Sequence, residues 1–313
     1  RRAEVYELCL EAQAHTWNQR RGLDSPVSLF LAGKPLDKDT VIKYLAPLAL
    51  ERHDQEPGSL IERADLLRGV ALVFQERDGR PRGQADDFAR DLVGLAHSGA
   101  GILEERGQGQ YRFLHLSFEE YLAARALTDL ADEPIDEVLK HAPSDRHREV
   151  VRLAVASLPQ RARNRVVERL LATEGAERAR LVTLAGGCVL DIGQGGGLDG
   201  PLVGRAVATL LALLDDAGVE LRRRVEAGEL LGDLGDPRLD RDDRMVAIPG
   251  TKLLIDRFPV TNAEYRAFAE ARPRAAGEAW REYDGPGRRN RPVVNVSWKE
   301  AEAFAKWAGK RLP

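Results

Sequence analysis

Read for its alternation of apolar and polar positions, the chain opens in a helix. Val5, Leu8, Cys9, Ala12 and Trp17 recur at roughly helical steps, which predicts an amphipathic helix over about 1–20 that ends near Gly22. Further helices are predicted through 40–45, over 60–74 and over 86–97. In the last of these Phe88, Leu92, Leu95 and Ala96 share a face, and Ser98-Gly99 provides a C-terminal stop. The period then changes. Residues 102–105 and 111–115 read as strands around a turn at 107–109, which is a hairpin signal. Ser117 with Glu120 reads as a capping box opening the next helix, with Leu116 placed to staple onto Tyr121. Helix, hairpin, helix is the order of a winged-helix domain.

Apolar stripes recur in 150–158, 161–171, 177–190, 202–214 and 219–234, so 131–240 is expected to be a helical array of the HEAT kind, without a strict repeat period. A glycine-rich stretch at 191–200 interrupts it as a loop. After Gly235-Asp236-Pro237 strand and helix alternate. Short strands are expected at 245–248 and 252–255, around Pro249-Gly250, and a third at 292–296. Thr261 with Glu264 forms a second capping box, with Val260 stapling onto Tyr265; Ser297 with Glu300 forms a third. The last helix carries Phe304 and Trp307 and stops at Gly309. The expected fold class is mainly α, with a winged-helix β-hairpin and HEAT-like helical repeats, followed by a separate α+β domain. The expected domains are 1–130, 131–240 and 241–313.

Composition narrows the function classes. Of 313 residues, 43% are hydrophobic and 31% charged, as in ordinary globular cores. The formal net charge of -3 supplies no general drive toward nucleic acid or an anionic membrane, and no apolar run approaches the ~20 residues of a spanning helix. Cys9 and Cys188, the two cysteines, cannot support a disulfide scaffold, which favours a cytoplasmic setting. The chain starts at Arg1 inside a helix and stops at Pro313 just after another, so we expect a piece of a longer protein, with Phe268, Phe304 and Trp307 left on uncovered faces.

Candidate chemistry is sparse. No G-x-x-x-x-G-K-[ST] phosphate loop occurs: Gly33-Lys34 lacks the upstream glycine and is followed by Pro35. Gly195, Gly197 and Gly200 have dinucleotide-fingerprint spacing, but Pro201 follows and no βαβ unit surrounds them. His141 and His147 are six apart, not the three or four of a helical metal pair, so no metal site is expected. Arg161, Arg165 and Arg169, near Glu168 and Glu177, read as a solvated helix face, and 288–291 as a surface loop. No catalytic residue is expected.

Two stretches resemble known families. Tyr111-Arg112-Phe113-Leu114-His115-Leu116-Ser117-Phe118-Glu119-Glu120-Tyr121, with small residues after it, resembles the end of the winged-helix domain in NACHT proteins, which are signalling ATPases of the STAND class. The family pattern runs aromatic, any, His, any, Ser-Phe, acidic or Gln, Glu-Tyr. The resemblance implies that His115 contacts the β-phosphate of ADP and helps hold a closed, inactive state, with the NTPase core preceding residue 1. The second stretch comprises Met245 to Gly250, Ile255-Asp256-Arg257-Phe258-Pro259-Val260-Thr261-Asn262, Arg291 to Trp298, and Gly309-Lys310-Arg311-Leu312-Pro313. It resembles the start of the formylglycine-generating, sulfatase-modifying-factor family, which implies a C-type-lectin-like variant fold. The stretch between first strand and Asp-Arg pair is shorter than the family's, and no cysteine follows Cys188 to serve as a copper ligand.

Together these imply a regulatory and sensing portion of a STAND NTPase, acting in bacterial conflict or defence signalling. ATP or ADP is the cofactor of the full-length protein only. The implied partners are its own NTPase core, further copies of itself on activation, and an unknown protein or small-molecule ligand of the lectin-like domain. Two alternatives stay open: an oxidase or non-haem iron enzyme whose catalytic half lies outside the chain, and a binding protein diversified by a retroelement.

Overall fold

The first helix, α1 (Arg2–His15), carries two candidate apolar stripes, and packing selects the second. Val5, Leu8 and Cys9, the predicted inner face, are exposed; Ala3 and Leu10 are buried instead. Tyr6, on that same buried side, lies 6.2 Å from the ring of Phe118 and 5.8 Å from that of Tyr121. An aromatic ring set against two others removes more apolar surface than Val5 and Leu8 offer, so it decides the register. The computed structural model describes residues 2–15, 30–31, 34–35, 37–193, 197–239 and 245–313. The expected helix end near Gly22, together with Trp17, Gly33 and Gly195, lies outside the described residues. The chain divides into two compact units, Arg1–Val203 and Gly204–Pro313.

In the first unit a short pair, β1 (Phe30–Leu31) and β2 (Lys34–Pro35), precedes α2 (Lys38–Gln55). Asp37 caps α2 by accepting from the Thr40 amide at 2.7 Å. The helix predicted from 60 begins three residues later, because Ile61 and Glu62 form β3 (Ile61–Glu62) against Tyr111 and Gln110. Then come α3 (Arg63–Asp78) and α4 (Arg82–Gly94). The stop expected at Ser98-Gly99 is instead a π-turn over Leu95–Gly99, closed by the Ala100 amide on the Leu95 carbonyl; the left-handed residue comes two later, at Gly101 (φ 63°). β4 (Leu103–Glu105) and β5 (Gln110–Phe113) complete an antiparallel sheet of order β3-β5-β4. α5 (Leu116–Asp129) packs on α2.

The array continues with α6 (Pro134–His141), α7 (Arg148–Ser157), α8 (Gln160–Leu171) and α9 (Arg178–Ile192). α6, whose Pro134 suits a helix start, was not among the predicted helices; α7 to α9 follow the stripes. Arg152 of α7 ties the array together: its guanidinium donates to both Asp191 oxygens at 2.8 and 2.9 Å and to Glu149 at 2.7 Å. No helix among the described residues is long and apolar enough to cross a membrane.

The second unit begins within α10 (Gly200–Asp215) and continues with α11 (Leu221–Leu234), β6 (Met245–Ala247), β7 (Leu254–Asp256), α12 (Asn262–Ala271), α13 (Pro273–Ala276) and α14 (Trp298–Trp307). Both predicted capping boxes here form with reciprocal bonds, at Thr261–Glu264 and Ser297–Glu300. Val260 packs on a core of Tyr265, Phe268, Trp280 and Phe304. Phe268 and Phe304 are therefore covered, contrary to expectation, while Trp307 and Trp298 are exposed. The strand expected at 292–296 reduces to one bridge, Thr261 with Pro292, because Asn295 takes a left-handed φ of 59° that breaks extended pairing. The Asn295 side-chain Nδ2 donates to the Ala279 carbonyl at 3.0 Å, holding that turn. The molecule is thus mainly α with a small winged sheet, followed by an α+β domain.

One buried pair organises the first unit. Glu119 of α5 and His53 of α2 are each about 1% exposed, with the ring Nδ1 3.0 Å from the carboxylate. The other ring nitrogen, Nε2, lies 3.0 Å from the Arg146 carbonyl. Both partners only accept, so the ring donates from both nitrogens and carries a charge. Burial opposes that charge, but the Glu119 carboxylate and the Arg146 carbonyl outweigh it and hold the His53 pKa above the ordinary histidine value. Glu119 also receives the Gly58 amide at 3.1 Å to each oxygen. Gly58 has φ 71°, a conformation that suits glycine in the turn after α2. Glu119→Ala leaves a buried cation and an amide unpaired, and is expected to cost about 3–5 kcal/mol in denaturant unfolding. Glu119→Gln keeps an acceptor for Gly58 and is expected to cost less, about 1–3 kcal/mol. Equal midpoints for Glu119→Ala and wild type would contradict the assignment.

Candidate functional site

β5 delivers the chain to α5 through a junction fixed on one side. Tyr111 and Phe113 point the same way from the strand and are buried; Leu103 pairs opposite Phe113, and Glu105 opposite Tyr111. Arg112, between them, faces outward and donates twice to Glu104 at 3.2 Å. The Leu114 amide donates to the Ile102 carbonyl at 2.9 Å, the last tie to the sheet. His115 then leaves the sheet with φ −135° and ψ 145°, and is itself the N-cap residue of α5. Its carbonyl accepts from the Phe118 amide at 3.0 Å.

The predicted capping box at Ser117 and Glu120 is not formed. Ser117 lies inside the first turn, one residue after Leu116, and no side chain caps the helix. Leu116 is 46% exposed, so it does not staple onto Tyr121. The cause is Glu119: pinning its carboxylate to His53 and Gly58 starts the helix earlier than the capping residues would. The outcome is an exposed histidine at a helix N-terminus whose first amides have no intrahelical acceptor. Among the described residues the His115 ring has no hydrogen-bond partner. Unpaired amides, the positive end of a 14-residue helix and a free imidazole together favour an anion.

Glu120, the other acid of the motif, is half-buried beside α7. Burial pushes its carboxyl above the ordinary value of 4.5, and Glu149 adds to this; His53 and Arg2 pull it down, less strongly, and Glu119 adds a small upward push. The sequence identified His115; it did not reveal that Glu119 is buried and ion-paired or that burial raises the Glu120 carboxyl. The only signal was the tolerance of the resembled pattern for acid or Gln at position 119, which a buried acceptor role explains.

In the second unit the specific motif residues serve the fold. The Thr261-Asn262 pair caps α12, and the Asn262 and Ala263 amides donate to the Arg291 and Arg289 carbonyls at 2.9 Å. Lys310, of the terminal Gly-Lys-Arg-Leu-Pro, reaches back to both Asp256 oxygens at 2.8 and 2.7 Å. Asn290 donates to the Gly232 carbonyl at 3.0 Å, fastening α11 to this domain.

These features define a winged-helix protein with an appended α+β domain. Residues 2–127 match the family model described as winged helix-turn-helix domain C-terminal to NACHT, and residues 224–313 match the sulfatase-modifying factor enzyme 1-like domain. The chain is thus a fusion of a NACHT-associated winged-helix region and a sulfatase-modifying-factor-like region. It is similar to a formylglycine-generating enzyme of Thermomonospora curvata, 34% identical over 101 residues, covering 19% of this chain and 33% of that protein. It is also similar to those of Streptomyces coelicolor (55% over 42 residues, 12% of this chain and 13% of that protein) and Mus musculus (50% over 42 residues, 12% and 11%). The chain spans a third or less of the length of these relatives. No solved structure matches it.

Charging Glu120 is the step that costs stability. Well below pH 4.5 it is protonated in folded and unfolded chains alike; between that value and its raised folded value only the unfolded chain ionises, so stability falls across this window, and above it a half-buried charge stands beside Glu149. Glu120→Gln is therefore expected to raise the Tm at about pH 7.5 and to give no gain at about pH 4. A gain that is constant with pH, or largest in acid, would contradict this.

Proposed function

We propose that this chain is the regulatory and sensing portion of a STAND NTPase, in which the winged helix closes on a nucleotide-bound core. The observation that carries the reading is His115 itself: exposed, unpartnered among the described residues, and held by a buried strand at the uncapped start of α5. In the closed state the ring donates to a phosphate of ADP, and the first amides of α5 add to the same anion site. The NTPase core and the nucleotide come from outside this chain. The helical array relays or senses, and the sulfatase-modifying-factor-like domain binds a protein or small-molecule ligand. Defence signalling in bacteria, with oligomerisation on activation, is the setting that the combination favours.

His115→Ala tests the reading in the protein that carries the NTPase core. A hydrogen bond to a charged phosphate contributes about 1.5–3 kcal/mol, so ADP binding is expected to weaken roughly tenfold to a hundredfold. The variant drifts toward the open state and oligomerises without its trigger. Because the ring is exposed, the nucleotide-free Tm stays within about a degree of wild type. Unchanged ADP affinity with a lowered nucleotide-free Tm would make His115 a packing residue and overturn the proposal.

The names of the similar proteins favour one second reading, cysteine oxidation to formylglycine. That chemistry uses paired cysteines as copper ligands in the family, and here Cys188 is the last cysteine and fully buried, its thiol pushed up to about 12 by burial. We expect this 313-residue chain, with or without copper, to leave the cysteine of a sulfatase peptide unconverted. Aldehyde formation seen by mass spectrometry would restore the oxidase reading.

A further inference from the structure

The end of α2 brings two histidines from separate turns against one carboxylate. His141 is the last residue of α6, and His147 closes the single 3-10 turn Asp145–His147 before α7. Spacing along one helix therefore has no bearing on whether they meet. Their rings lie 4.9 Å apart, centre to centre. Asp54, next to His53 in the last turn of α2, has Oδ1 2.6 Å from His147 Nε2 and 4.0 Å from His141 Nε2. All three ligand atoms fall within 4.8 Å of one another.

The ring nitrogens turned away from Asp54 are occupied. His141 Nδ1 lies 2.8 Å from the Glu137 carbonyl, which can only accept, so the neutral ring carries its proton there and presents a bare Nε2 lone pair toward Asp54. His147 Nδ1 lies 3.0 Å from the Ser144 hydroxyl, which can accept or donate. When Nε2 of His147 is needed as a ligand, its proton moves to Nδ1 and the hydroxyl becomes the acceptor; the neutral ring changes tautomer without losing its charge balance. A remote nitrogen bonded to a carbonyl or hydroxyl, with the near nitrogen turned toward a shared carboxylate, is the outer-shell arrangement that orients metal-bound histidines.

We propose that Asp54, His141 and His147 form a binding site for a divalent transition ion of the zinc class. Two imidazoles and a carboxylate are the donor set that zinc accepts, with a fourth position left to water. At the usual bond lengths of about 2.0 Å, tetrahedral ligands stand about 3.3 Å apart. The 2.6 Å and 4.0 Å separations bracket that value. Asp54 is half-exposed, which gives both room to adjust and a path for entry. The backbone is already held: Arg146 Nη1 donates to the Asp54 carbonyl and, at 3.0 Å, to the Gln55 carbonyl. A bound ion clamps the end of α2 to the turn between α6 and α7, the same place where His53 and Glu119 are paired.

The test uses the 313-residue chain and zinc chloride alone, by calorimetric titration after chelator treatment. One saturable site is expected, together with a rise in Tm on zinc addition. Asp54→Asn and His141→Gln are each expected to weaken zinc at least about tenfold while leaving the metal-free Tm and far-UV dichroism near those of wild type. Cobalt provides a measurement that needs no variant: the wild-type chain should develop the visible d–d bands of a low-coordinate nitrogen and oxygen site. Absence of saturable zinc binding in wild type overturns the proposal. So does binding that both variants retain at full affinity, which would place the ion elsewhere.

Discussion

His53 and Glu119 sit 3.0 Å apart in the interior of the first unit, and most of what positions the candidate site follows from that contact. A charged pair shielded from water is stabilising only when its remaining hydrogen-bonding capacity is met. Here the capacity is met by backbone from two other places: the Gly58 amide in the turn after α2, and the Arg146 carbonyl in the turn before α7. Four segments are thereby brought to one point. α5 cannot slide or rotate without breaking bonds to α2, to the Gly58 turn and to the helical array together. Because α5 is held at Glu119, its first residue is Leu116 and its N-cap is His115, and the histidine is set at the surface by a constraint one turn deeper.

The second domain is built on different means. Its core is aromatic, with Tyr265 5.3 Å from both Phe268 and Trp280 and 5.7 Å from Phe304. Its helix starts are closed by complete capping boxes, and Lys310 returns to Asp256 to tie the last turn to β7. The residues that identify the family are caps, ties and core, so they define a scaffold. The exposed Trp298 and Leu254 lie outside that core, while the partly exposed Trp307 sets its ring 5.6 Å from Phe268 at the core's edge.

Much of this was legible from periodicity alone. α7, α8, α10 and α11 follow stripes visible in the sequence, because each meets its neighbours along one face; α9, whose residues 181–189 are all buried, was marked by its longer apolar run, and the β4–β5 and β6–β7 hairpins by their turn residues. The misses have a common physical origin in tertiary contacts that outweigh local signals. α1 offers two stripes, and the choice belongs to Phe118 and Tyr121, more than a hundred residues away. Ser117 and Glu120 have the spacing of a capping box, but Glu119 between them is anchored elsewhere. Ile61 and Glu62 look helical and are drawn into the sheet by Tyr111 and Gln110. Trp280 gave no periodic signal because it enters the core from a 3-10 turn. At the candidate site, His115 was legible only through its motif, while Asp54, His141 and His147 come together through a turn that no spacing rule describes.

The central claim is that a buried charge pair holds a surface histidine, and the uncapped helix start behind it, ready for an anion. Hydrogen exchange at single-amide resolution, on the protein carrying the NTPase core with and without ADP, tests it most directly. The Gly58 amide should be strongly protected in both states, since its acceptor is the buried Glu119. The Leu116 and Ser117 amides should exchange rapidly without nucleotide and slow when ADP is added. A Gly58 amide that exchanges as freely as an open turn, or amides at 116 and 117 indifferent to ADP, would overturn this role for the buried pair.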